Sequence, residues 1–223
     1  MATIVFDLDG TLADTSGDLI AAANRVFRAR GLGDLLDPAH DAGTALKGGR
    51  AMLRLGYARA GDGFGDDDVE AGYPLLLEAY GNALDRETRL YPGAAAAVSR
   101  LADAGYLTAV CTNKPEALAE TLLQRLGVRD RFGALVGADT LPVRKPDPAP
   151  LHEAVRRAGG PAGRAVLIGD TETDRLTARA AQVACVLVTF GPDGEGVAAL
   201  APEALLAGYD ALDEVVTGLL PLA

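Results

Sequence analysis

Two aspartates separated by one residue, Asp7 and Asp9 in Asp7-Leu8-Asp9-Gly10-Thr11, follow an apolar run at Thr3–Phe6. A strand alternates its faces, so both carboxylates point the same way while Leu8 turns back into the core. Gly10 permits a turn that a side chain would hinder. Paired acids on a strand tip suit metal-assisted phosphoryl chemistry. An acidic loop closed by an Asx-turn has the same local pattern. The decision therefore rests on partners from elsewhere in the chain.

Those partners occur where other apolar runs end. Thr112-Asn113-Lys114 follows Leu107–Cys111, and Gly169-Asp170, with Asp174 four residues on, follows the run 165–168. Lys145, in Arg144-Lys145-Pro146-Asp147-Pro148, lies in the loop after Ala134–Val136. Singly, Thr112 reads as a helix cap, Lys145 as a surface lysine and Gly169-Asp170 as a turn. Ligands of an open parallel sheet bind at the carboxyl ends of its strands, and this ordered set assembles acid, hydroxyl and ammonium groups at that edge.

The elements that must carry them alternate. Strand-length runs at 3–6, 107–111, 134–136, 165–168 and 184–190 are separated by helical patterns, which predicts an α/β fold with a parallel sheet. Pro92-Gly93 opens a helix over 94–104, a second over 116–126 stops at Gly127, and Asp147-Pro148 starts another. The stretch from about Asp14 to Leu90 breaks the rhythm with helical patterns at 18–30, after Asp37-Pro38, at 50–60 and at 69–84. It reads as a helical insertion, giving a core of 1–14 plus 91–223 and a cap of 15–90. The triple acid Asp66-Asp67-Asp68 reads as a solvated helix start favoured by the helix dipole.

A chain of 223 residues that is 49% hydrophobic and 23% charged has the composition of a water-soluble globular protein. No apolar stretch approaches the roughly 20 residues that span a bilayer, and the expected compartment is the cytoplasm. Cys111 and Cys185 sit in apolar runs and read as small buried residues. A net charge of -10 argues against nucleic-acid partners, which require a basic face. It also requires that any phosphate substrate meet local positive charge, from a divalent ion and a placed Lys or Arg.

The segments FDLDGTLADT, Thr112 after the second core strand, RKPDP and IGDTETD resemble, in order, the four motifs of the haloacid dehalogenase superfamily, over nearly the whole chain. Their wording is most similar to its phosphoglycolate phosphatase-like branch, and the insertion resembles its helical cap of the first type. The resemblance implies a Rossmann-like core with helices on both faces and an aspartyl-phosphate mechanism. Asp7 would be nucleophile and Asp9 acid and base, with Thr112, Asn113, Gly10 and Thr11 around the phosphate. Lys145 would neutralise its charge. Mg2+ would be held by Asp7, Asp170 and the Asp9 backbone carbonyl, and Asp174 would hold a metal-bound water or orient Lys145. Glu172 reads as solvated.

An acid at Asp9 separates the chain from the superfamily's dehalogenases and phosphonate-cleaving members. A response-regulator receiver lacks room for the insertion. A phosphosugar mutase, a pyrophosphatase or a nucleotide phosphatase would use the same core residues, and a non-catalytic regulator would have had no need to keep every motif. Specificity is expected in the cap, where Lys47 and Arg50 of Leu46-Lys47-Gly48-Gly49-Arg50 are candidates to pair with a substrate carboxylate. Lys47 stands where relatives often carry glycine. The expected partner is a small phosphorylated metabolite, bound by a monomer or homodimer whose cap closes over it.

Overall fold

All four residues of the first strand, β1 (Thr3–Phe6), are buried, as in a strand covered on both faces. The strands beside it are buried but for Leu107 at one end, and the computed structural model, which describes residues 1–222, builds them into one parallel sheet. With β2 (Ala13–Asp14) and β3 (Arg89–Leu90) forming a short separate ladder, the sheet strands are β1, β4 (Leu107–Cys111), β5 (Ala134–Val136), β6 (Ala165–Gly169), β7 (Ala184–Val188) and β8 (Ala204–Leu206). Their order is β5-β4-β1-β6-β7-β8. The chain builds outward from β1 on one side and then restarts on the other at β6, so the crevice of this doubly wound sheet opens between β1 and β6.

Helices cover both faces of the sheet. Packed on one are α7 (Ala149–Arg157) and α8 (Glu172–Ala180), where Leu151, Ala154 and Ala178 meet Val5, Cys111 and Leu167. On the other side α5 (Ala94–Asp103) packs against β4 and α9 (Leu212–Leu219) against β8, while α6 (Glu116–Arg125) covers β5. Burying one such Leu contributes about 1.5–3 kcal/mol, which fixes the strand tips that follow.

Residues Asp14–Arg89 form a second compact unit, and Met1–Ala13 with the chain from Leu90 onward forms the first. The second unit holds α1 (Ser16–Ala29), α2 (Pro38–Leu46), α3 (Gly49–Ala60) and α4 (Asp66–Gly81). Gly56 lets α3 lie against Phe27 of α1, since a Cβ there would come within 2.1 Å of the ring. Buried Asn24 donates to the Leu36 carbonyl and accepts from the Leu35 and Leu36 amides, which pins the turn before α2. Asp18 accepts from the Glu87 and Thr88 amides and the Thr88 hydroxyl, joining the unit's two ends.

Two strands differ from the expectation. β7 ends at Val188, because Phe190 leaves the sheet for an aromatic cluster, with ring centroids 4.8 Å from Tyr91 and 5.4 Å from Tyr209. β8 was not foreseen, its Ala-Leu-Leu having no strand propensity of its own. The three aspartates do start a helix, but they lie inside the first turn of α4, which runs over Asp66–Gly81 and not 69–84, and Asp68 accepts the Gly65 amide at 2.9 Å.

Candidate active site

Asp7 extends the ladder one step beyond β1, donating its amide to the Ile168 carbonyl at 2.9 Å. That bond sets its side chain beside the tip of β6. The chain then turns at Gly10, whose φ of 82° is a left-handed conformation that a side chain would strain, and the Gly10 amide bonds the Ala13 carbonyl at 2.9 Å. Thr11 is fully buried, and its hydroxyl donates to Asp170 Oδ1 at 2.8 Å. The Thr11 carbonyl accepts from the Tyr209 hydroxyl at 2.8 Å. Thr11 therefore holds a carboxylate at the site, a role that spacing did not suggest.

At the β6 tip, Asp174 in the first turn of α8 is committed on both oxygens. Oδ2 accepts from the Thr171 hydroxyl at 2.7 Å and from the Thr171 and Asp170 amides at 3.1 and 3.3 Å, while Oδ1 accepts from Lys145 Nζ at 2.6 Å. Gly169 is required here, because a Cβ would lie 2.4 Å from the Asp174 side chain. Lys145 Nζ also stands 3.1 Å from Asp7 Oδ1, and Asn113 fixes the Lys145 loop by donating to its carbonyl at 3.0 Å. The Asn113 side chain is thus a brace for the lysine. Glu172 is exposed.

Asp7, Asp170 and Asp174 form a buried cluster whose carboxylate oxygens lie within 4.8 Å of one another. Burial is the main force on Asp7, lifting its pKa to about 6 against the pull of Lys145, with the Asp174 and Asp9 charges adding to the rise. Asp170 is pushed well above the carboxylate range by burial and by the charges of Asp174 and Asp7. For Lys145, burial disfavours the ammonium, yet Asp174 and Asp7 outweigh it and hold the pKa above the ordinary lysine value. Asp7 Oδ1 is buried, with the Lys145 ammonium 3.1 Å away. An all-oxygen set with mutually repelling charges fits a hard divalent cation such as magnesium. Because Asp174 is spent on Lys145 and the Thr171 turn, Asp7 and Asp170 are the freer ligands.

Asp9 stands apart from that cluster. Its carboxylate oxygens accept from Lys114 Nζ at 2.7 and 3.0 Å, and the lysine side chain is only 3% exposed against 15% for Asp9. Thr112, also buried, accepts the Lys114 amide on its hydroxyl at 3.2 Å. Sequence reasoning treated Lys114 as part of the Thr112 motif without giving it a role. Its two-residue spacing from Thr112 was the available signal. Cys111 and Cys185 are buried and free, and burial lifts the Cys111 thiol to about 12, which leaves it inert.

Within the helical unit, Lys47 is exposed. Arg50 donates to both Glu70 oxygens at 2.7 and 2.8 Å, and its guanidinium lies 3.7 Å from the centre of the Tyr73 ring. No helix among the described residues is long and apolar enough to cross a membrane.

Residues 1–182 match the haloacid dehalogenase-like hydrolase family. A protein named phosphoglycolate phosphatase from Mesorhizobium japonicum is 40% identical over 209 residues, covering 94% of this chain and 92% of that one. One of the same name from Agrobacterium fabrum is 35% identical, with 93% and 89% covered. The crystal structure of a predicted phosphoglycolate phosphatase from Haemophilus somnus superposes with a TM-score of 0.84 at 24% identity, over 97% of this chain and 98% of that one.

Proposed function

The chain belongs to the haloacid dehalogenase-like hydrolases, and from that membership we propose that it hydrolyses a small phosphomonoester, phosphoglycolate first among them. The observation that carries this reading is the buried acid cluster of Asp7, Asp170 and Asp174, bridged by Lys145 and flanked by Asp9. The choice of ester follows the relatives named phosphoglycolate phosphatase at 35% and 40% identity. Two buried free cysteines accord with a reducing compartment, and we assign the activity to the cytoplasm.

In this reading Asp7 attacks phosphorus, the bond from phosphorus to the ester oxygen breaks, and an aspartyl-phosphate forms. Asp9 gives the departing oxygen a proton. It then takes one from the water whose oxygen bonds phosphorus as the Asp7 carboxylate leaves. Lys145 neutralises charge on the phosphoryl oxygens, while Asp174 and Asn113 keep it in place. Thr112 and the Asn113 amide sit at the next strand tip to bind those oxygens. Asp7 and Asp170 would hold a magnesium ion, which would supply further charge neutralisation. Lys47 and Arg50 are carried as cap-side candidates for substrate contact.

The test is phosphate release across phosphoglycolate, sugar phosphates, nucleotides and pyrophosphate with magnesium and with chelator. We expect phosphoglycolate to lead, chelator to abolish turnover, and Asp7→Asn to lower kcat by roughly 10⁴-fold. Turnover of Asp7→Asn at the wild-type level refutes the nucleophile. Isomerised sugar phosphate without free phosphate indicates a mutase.

A further inference from the structure

Lys114 is a buried ammonium that the steps above do not use. Its side chain is 3% exposed, yet its Nζ is spent on Asp9, the acid that works at the leaving oxygen. A lysine serving only as a surface counter-charge has no reason to be desolvated. Lys145 lies on the phosphoryl side, held between Asp7 and Asp174, so the two lysines divide the site. One pairs with the proposed nucleophile and the other with the proposed acid and base.

We propose that Lys114 determines specificity by recognising a carboxylate on the leaving group, moving from Asp9 to that carboxylate when the ester binds. The proposal rests on the phosphoglycolate reading and deepens it. Asp9 serves the ester oxygen from about 2.6–3.2 Å, and Lys114 Nζ is 2.7 and 3.0 Å from the Asp9 oxygens. In a glycolate leaving group the carboxylate carbon is two bonds from the ester oxygen, which brings its oxygens to roughly 3 Å from that oxygen. A carboxylate so placed meets the ammonium with a small rotation of the lysine tip. The exchange trades one ion pair for another and releases Asp9 toward the ester oxygen. An ester lacking the carboxylate leaves Lys114 on Asp9. Arg50, the reader expected from sequence, is already engaged by Glu70 and Tyr73.

The experiment measures kcat/KM for phosphoglycolate and for ethyl phosphate, the same ester with methyl in place of carboxylate, in wild type, Lys114→Met and Lys114→Arg. We expect the ratio of the two constants to fall about 10- to 100-fold in Lys114→Met, the scale of a charged hydrogen bond. The loss should lie mainly in the KM for phosphoglycolate. Lys114→Arg should restore a large part of the ratio. Lys114→Gln replaces the Met variant if circular dichroism shows that it does not fold. A proportional loss on both esters overturns the proposal and leaves Lys114 a brace for Asp9. A wild-type ratio near one refutes the phosphoglycolate reading instead.

Discussion

Lys145 in the α/β unit and Arg54 in the helical unit each meet an aspartate, at 2.6 and 3.0 Å, but their side chains are 2% and 56% exposed. The contrast is between the site and the helical surface, since the α/β unit also has open pairs away from the site, such as Arg100 with Asp213. Lys114 with Asp9 is largely enclosed, whereas Arg28 with Asp34 and Arg50 with Glu70 are open to water. Exposed pairs return about 0–1 kcal/mol, and buried ones carry a desolvation cost that the fold must offset elsewhere. The α/β unit thus keeps its site charges out of water where chemistry needs a preorganised field, whereas the helical unit buries only carboxylates held by backbone amides or an arginine, Asp18 and Asp41, and sets its other ion pairs at the surface.

The strongest way to break this contrast is Lys145→Met. It leaves Asp7 and Asp174 buried without their shared cation, and we expect a loss of about 3–5 kcal/mol in urea unfolding under chelator. A loss below about 1 kcal/mol would mean that the buried charges are not held by that lysine. Next is Gly56→Ala, where the new methyl meets the Phe27 ring of the helical unit. Overpacking there should cost about 1–3 kcal/mol, read as a lowered melting temperature. The smallest effect belongs to Arg54→Ala, expected to change stability by less than about 0.5 kcal/mol. Should it exceed the Gly56 variant, surface charge rather than packing holds the helices.

The same contrast explains what could be read from the chain alone. Strand tips were legible because each apolar run ends abruptly in a polar residue, as at Asp7, Thr112 and Asp170, and a parallel sheet gathers such ends on one edge. β8 was hidden by residues that favour helix and become a strand only through pairing with β7. The bond from Tyr209 to the Thr11 carbonyl joins residues 198 apart, and the pair of Lys114 with Asp9 joins residues 105 apart. Neither leaves a local pattern. Asp174 lay within reach of inference, yet its commitment to Lys145 and the Thr171 turn depends on the close approach allowed at Gly169.

Asp18 carries a consequence for how such a chain can change over time. By binding the amides of Glu87 and Thr88, it clasps an excursion at its neck, so departure and return occur at one point. Lengthening a closed loop costs only about 0.6 kcal/mol per doubling. Flexible connections between the helices can therefore lengthen at little cost, while the residues at the neck experience the same closure.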